Sequence, residues 1–128
     1  TPSIWMTSAL IASDYYVIPV KPDPLSMIGI DLLRSIIERR TKTYGLRLSC
    51  LGIFFTMVER PDSVIYSTAR SNLANSAIWK DKVFKGYMPK RAELVKQQLV
   101  QPFIMLMGDY DLRINLKGLV EEMLERLK

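Results

Sequence analysis

Eight basic side chains between residues 58 and 100 are the groups in this sequence best suited to bind an anion. That segment carries eight Lys or Arg residues against four Asp or Glu, whereas the residues on either side are closer to balance. Clustered cations attract phosphates, and phosphate contacts place few constraints on spacing, so the series predicts nucleic-acid binding. An ordinary solvated surface is the alternative. The series comprises Arg60, Arg70, Lys80, Lys82, Lys85, Lys90, Arg91 and Lys96.

Several kinds of catalytic centre are excluded by composition. The chain has no histidine, so no His–Cys or His–Asp pair can form and no zinc cluster of the usual kind can be assembled. Cys50 is the only cysteine, which rules out an internal disulfide; its apolar surroundings indicate a small buried hydrophobe. No apolar run reaches the ~18–20 residues of a membrane span, so we expect a soluble, cytoplasmic protein.

Lys21 and Asp23 belong to a proline-rich loop between a strand and a helix. The apolar run Tyr15–Val20 is typical of a strand covered on both faces. Asp23 followed by Pro24 is a favourable helix start, with an N-cap carboxylate and a proline at the first helical position. In parallel sheets ligands bind outside the carboxyl ends of strands, which points to this loop. Capping explains Asp23 fully, whereas Lys21 has no forced structural role.

The helix that follows is predicted to span Pro24–Tyr44 and to end at Gly45, a residue suited to a left-handed C-cap. Its apolar residues recur at 3.6-residue spacing, which predicts one face packed on the sheet. The residues of that face are Leu25, Ile28, Leu32, Leu33, Ile36 and Ile37.

The rest of the chain alternates in the same way. Two more strands are predicted, over 48–58 and 83–88. Helices are predicted over 3–12, from Pro61 to about residue 79, over 91–100 and over 109–127. Residues 101–108 fit either a loop or a short strand. This alternation predicts a single α/β domain over 1–128, with three layers and a mostly parallel sheet flanked by helices. The expected core residues are Leu32, Ile36, Ile53, Phe55, Leu119 and Met123.

Three segments, in order, resemble the ParA-type partition ATPases, the ParA/MinD-like group with a deviant Walker motif. VIPVKPDPLSMIGIDLL looks like the stretch after the second acidic motif of that family. LGIFFTMVERPDS at 51–63 is similar to its strand ending in Thr-Met, and VFKGYMPKRAEL at 83–94 to its strand and Pro-basic loop. The resemblance covers roughly residues 1–99 and implies an incomplete P-loop NTPase-like fold, the C-terminal half without the phosphate-binding loop.

The resemblance also implies a nucleotide-base site at the ends of the second and third strands. A hydroxyl and backbone groups there would bind the adenine edge, while methionine and proline cover its face. Turn chemistry at strand ends is the simpler alternative. The residues at the matching positions are Thr56, Met57, Met88, Pro89 and Lys90.

In a complete protein of this kind we expect ATP and magnesium binding, dimerisation, non-specific DNA binding by the basic series, a ParB-like partner and a nucleoid-associated location. Hydrolysis would need groups absent here, so this chain alone is expected to be inactive, with no catalytic or metal-binding residues of its own. MinD-like relatives end in a membrane-binding helix with a polar face rich in Lys and Arg. The last helix here is predicted to expose three glutamates, which favour core packing and no membrane contact. The residues of its expected polar face are Glu121, Glu122, Glu125, Arg126 and Lys128. The competing interpretation is a non-catalytic interaction or regulatory module on the same α/β scaffold.

Overall fold

The computed structural model of the chain describes residues 3–92, 96, 104 and 108–128. Within them the elements follow one another as α1 (Ile4–Ile11), β1 (Tyr15–Val20), α2 (Pro24–Tyr44), β2 (Ser49–Val58), α3 (Val64–Ala74), β3 (Val83–Pro89) and α4 (Tyr110–Arg126). The helix predicted over 91–100 and the segment 101–108 fall largely outside the described residues.

The described strands form one parallel sheet in the order β1-β2-β3. Ile18 lies opposite Ile53, and Val58 lies opposite Pro89. Because α2 and α3 each connect one strand to the next, all three strands end at the same edge of the sheet. The predicted α/β class with a parallel sheet is therefore confirmed for this part of the chain.

Helices cover both faces of the sheet. On one face Ile53 and Phe55 are fully buried, and the Phe55 ring meets the α3 residue Tyr66 edge-on at 5.4 Å; Ile30 of α2 joins the same cluster. On the other face Leu119 of α4 lies against Gly86 of β3. The core thus has two parts, one on each side of β2 and β3.

The predicted caps of α2 are confirmed. The Asp23 carboxylate accepts hydrogen bonds from the backbone N–H of Ser26 at 2.8 Å and from its hydroxyl at 2.9 Å. Gly45 adopts the left-handed conformation with φ of 61°. In contrast, α3 is shorter than predicted, because Asn75 caps it after Ala74 and the chain then turns to bury Trp79.

The predicted inward face of α2 is wrong in part. Leu25, Ile28 and Leu32 are 80%, 72% and 66% exposed, whereas Ile30 and Ile37 are buried. The helix carries two apolar stripes, and helical periodicity fits either one; packing against the sheet selects the stripe that contains Ile30 and Ile37.

Of the six expected core residues, Ile53, Phe55 and Leu119 are buried, Ile36 and Met123 are half-buried, and Leu32 is exposed.

The predicted polar face of α4 also needs correction. Glu122 and Arg126, expected in solvent, both turn toward the sheet and bond to its backbone. No helix in the described ranges is both long enough and apolar enough to cross a bilayer.

Replacing Ile53 with alanine should lower the free energy of unfolding by about 2–5 kcal/mol, because the side chain is fully buried between β1 and β3. Leu32→Ala is the matched control and should change it by less than about 0.5 kcal/mol, since Leu32 is mostly exposed. Urea unfolding of both variants measures the difference. Equal losses would contradict the orientation of α2 described above.

Candidate ligand cleft at the carboxyl edge of the sheet

The carboxyl ends of the three strands surround a cleft of about 410 Å³. Its walls come from the β1–α2 loop, the β2–α3 loop and the first residue after β3. We call it the carboxyl-edge cleft; the residues that bear on its chemistry are Lys21, Asp23, Met57, Glu59, Arg60 and Lys90.

Met57 enters the cleft through an irregularity in β2. Phe55 lies opposite Tyr87 and Val58 opposite Pro89, so β2 has one residue more than β3 at this point. Met57 has a φ of 57°, the left-handed region that a non-glycine residue rarely adopts. That conformation costs about 1–2 kcal/mol in an L-residue. Such strain occurs often at functional sites, which makes Met57 a good candidate for a ligand contact.

The five residues predicted to surround a nucleotide base are neighbours, but they do not share one surface. Met57 and Lys90 line the carboxyl-edge cleft. Thr56 instead lines an adjoining depression of about 570 Å³ beside Pro19. Met88 is half-buried and Pro89 buried, and neither lines either space. Among the described residues the Thr56 hydroxyl has no hydrogen-bond partner, so it is free to bind a ligand in the depression.

Charged groups of both signs surround the cleft. Lys90 Nζ lies 3.0 Å from Glu59 Oε1. Lys21 and Arg60 form no ion pair within the part of the chain that the structure describes. The Ser26 backbone N–H, which donates to the Asp23 carboxylate, holds the pKa of Asp23 below its usual value. Two cations of the cleft are therefore available to an anionic ligand.

Arg91 ties the end of β3 to the start of α4. Its Nε lies 2.8 Å from Asp109 Oδ2 and its Nη2 lies 2.7 Å from Asp111 Oδ2. The pKa of Asp109 is lowered, first by the backbone N–H of Leu112 and then by Arg91. Two carboxylates thus already neutralise Arg91.

The predicted phosphate-binding series does not form one surface. Arg70 turns inward and donates to the carbonyl of Phe84 at 3.0 Å, and Lys82 donates to the carbonyl of Cys50 at 3.1 Å. The remaining members lie apart on the fold: Arg60 and Lys90 at the carboxyl ends of the strands, Lys80 before β3, Lys85 exposed on β3, and Lys96 exposed. DNA binding by the series as a whole stays a prediction.

Glu59 is the cleft residue that the sequence analysis missed. It follows the end of β2 and pairs with Lys90 across the cleft. Its position directly after a strand end was the one signal available in the sequence. In the described ranges, no group of three or more His, Cys, Asp or Glu side chains is placed to hold a metal ion.

Comparison with known proteins does not assign the chain: no protein-family model matches it, and no curated protein sequence is significantly similar to it.

Met57→Asn should leave the free energy of unfolding unchanged or raise it by up to about 1 kcal/mol, because asparagine tolerates the left-handed conformation. Met57→Val should lower it by about 1 kcal/mol or more, because a β-branched side chain tolerates that conformation poorly. Chemical unfolding compares the two variants. The control position is Ser49, an exposed β2 residue without positive φ. There Ser49→Val should have the higher free energy of unfolding and Ser49→Asn the lower, because valine favours strands. The same order at both positions would contradict the strain at Met57.

Asp109→Asn should weaken the dependence of stability on acid pH. A carboxyl whose folded pKa is lowered adds stability above its unfolded pKa of about 3.9, and loses that stability as pH falls through the folded pKa. The wild type should therefore exceed the variant in melting temperature at pH 7, and the gap should close at lower pH. Asp62→Asn, an exposed control without a hydrogen bond to the described residues, should show no such gap. A gap that persists below pH 2 would contradict the role of the Asp109 charge.

Proposed function

We propose that this chain is the C-terminal part of a ParA-type ATPase and that the carboxyl edge of its sheet receives the adenine base. The observation that carries the proposal is the placement of the three family-like segments. Each covers the end of one strand and the loop after it, and the three strands are adjacent and parallel. Segments that are far apart in the sequence thus meet at one edge, where ligands of parallel sheets bind.

The residues at this edge fit one end of a nucleotide. Met57 offers the cleft an apolar surface that is 40% exposed, and Lys21 and Arg60 offer it two available cations. Thr56 offers a hydroxyl in the adjoining depression. A few polar groups beside an apolar wall are typical of small-ligand sites. The described residues offer no carboxylate cluster for magnesium. In the proposed whole protein, the nucleotide phosphates and the phosphate-binding half would therefore hold it.

The whole protein would bind ATP with magnesium, dimerise, bind DNA without sequence preference and hydrolyse ATP in response to a ParB-like partner. Phosphate-loop amides, a lysine and the metal ion supply the charge stabilisation in such reactions. The residues of this chain would orient the base and form part of the wall around it. The test for the parentage is the reading frame upstream of Thr1, which should encode a glycine-rich loop with two lysines.

A second candidate is a non-catalytic interaction module. The observation that favours it is the outward stripe of Leu25, Ile28 and Leu32 on α2, which the fold leaves exposed. An apolar stripe of this kind often marks an interaction surface. An upstream frame without a phosphate-binding loop, together with no response to nucleotide, would favour this alternative.

The isolated chain should bind ATP no more tightly than a Kd of about 1 mM, because the groups that hold phosphates in this class are absent from it. Titration of methyl-labelled protein with ATP should shift the Met57 methyl signal and leave that of Met27, a partly buried residue of α2, unchanged. Adenosine should reproduce the shift, whereas guanosine should not. Micromolar binding, steady phosphate release, or equal shifts at Met27 would overturn the assignment.

A further inference from the structure

Glu59 and Lys90 form an ion pair on the β3 side of the carboxyl-edge cleft. Glu59 directly follows β2 and Lys90 directly follows β3, and both residues line the cleft. Glu59 Oε1 lies 3.0 Å from Lys90 Nζ. The Lys90 backbone N–H also donates to the carbonyl of Val58 at 2.9 Å. This second bond fixes the two chain segments against each other, so the cleft holds a carboxylate at a defined position.

The Glu59 carboxylate contributes little to the stability of the fold. The Glu59 side chain is 73% exposed and that of Lys90 is 51% exposed. Ion pairs between side chains this exposed add little stability, because water and salt screen the two charges. Among the described residues, Oε1 of Glu59 bonds to Lys90 and Oε2 has no hydrogen-bond partner. One carboxylate oxygen is therefore available to a ligand in the cleft.

The hydrogen-bonding chemistry of Glu59 limits which part of a nucleotide it can contact. An ionised carboxylate accepts hydrogen bonds and donates none, so it repels phosphates and bonds only to N–H or O–H groups. Adenine presents such donors at its exocyclic amino group N6, beside the ring acceptor N1. The Glu59–Lys90 pair offers one acceptor and one donor side by side, which matches that edge. Guanine in the same pose would place its O6 acceptor against the carboxylate.

The charges of the cleft favour one orientation of a nucleotide. Of the two available cations, Lys21 is the one outside the β2–α3 loop that carries Glu59, and it directly follows β1. Neighbouring strands lie about 4.8 Å apart, so the ends of β1 and β3 are separated by about 10 Å. Phosphates are attracted toward Lys21, whereas the neutralised Glu59–Lys90 pair suits an uncharged base. The base is thus expected on the β3 side of the cleft.

We propose that Glu59 determines the base specificity of the cleft: its carboxylate, held by Lys90, accepts a hydrogen bond from the N6 amino group of adenine. The inference rests on the proposed function, since it takes an adenine nucleotide as the ligand, and it adds the side chain that selects this base. Lys90 acts as a positioning residue, because it neutralises the carboxylate and holds one of its oxygens. Met57, which also lines the cleft, covers the face of the same base.

Two nucleosides that differ only at the amino group test the proposal. Adenosine carries N6, and purine riboside is the same molecule with a hydrogen atom in its place. Titration of the methyl-labelled chain with each nucleoside, followed at the Met57 methyl signal, gives two dissociation constants. Purine riboside should bind the wild type about three- to tenfold more weakly than adenosine, because the carboxylate loses its donor. In Glu59→Ala the two nucleosides should bind equally, and as weakly as purine riboside binds the wild type.

Asp62→Ala is the matched control for the loss of charge. It removes one carboxylate from the same loop, but Asp62 is exposed and does not line the cleft. This variant should keep the wild-type ratio of the two dissociation constants. Lys90→Gln should lower the ratio without abolishing it, because Glu59 remains but is no longer held in place. Circular dichroism checks the fold of each variant.

Equal binding of the two nucleosides to the wild type would overturn this proposal and leave the proposed function standing, because adenosine would still bind in the cleft. An unchanged ratio in Glu59→Ala would overturn it in the same way. Weaker binding of 2′,3′-dideoxyadenosine, with adenosine and purine riboside equal, would assign the carboxylate to the ribose hydroxyls instead. If adenosine left the Met57 signal unshifted, the proposed base site would fall together with the role of Glu59.

Discussion

The Arg126 side chain attaches α4 to β2 and to the start of β3. Its Nη1 donates to the carbonyls of Leu51 at 2.7 Å and Lys82 at 3.0 Å, and its Nη2 donates to the carbonyl of Val83 at 3.0 Å. These carbonyls belong to β2 and to the start of β3, so one guanidinium joins α4 to two strands. The contact requires glycine at position 52, where a Cβ would lie 2.2 Å from the Lys82 carbonyl oxygen and 2.4 Å from Arg126 Nη1.

Glu122, one turn earlier, completes this attachment. Its carboxylate accepts hydrogen bonds from the backbone N–H groups of Lys85 and Gly86, at distances of 2.8 to 3.1 Å. It thereby satisfies donors on β3 that pairing with β2 leaves free, and covers part of the edge strand. At its other end α4 is fixed by Asp109, which pairs with Arg91 after β3. The helix is thus anchored at both edges of the sheet, by the Arg91–Asp109 pair at one end and by the Arg126 contacts at the other.

Local sequence patterns predicted the elements well, but not which way two of the helices face. β1 and α2 have the predicted bounds, because proline, the Asp23 cap and Gly45 act through the adjacent backbone. The rotation of α2 could not be predicted, since two apolar stripes satisfy the same period. The inward turn of Arg126 could not be predicted either, because charged residues are seldom directed at a sheet and the carbonyls that receive it lie far away in the sequence. The bulge that places Met57 in the cleft has no glycine to mark it.

Several basic side chains of this protein stabilise the fold and are therefore poor candidates for ligand binding. Arg70, Arg91 and Arg126 each bond to backbone or carboxylates across the structure, so their charge serves folding. Met57 adopts a strained left-handed backbone although its side chain is 40% exposed and does not belong to the buried core cluster. Among the described residues, Met57 is the non-glycine residue with a positive φ, and it lies in the carboxyl-edge cleft, so a ligand contact is the best explanation of its conformation.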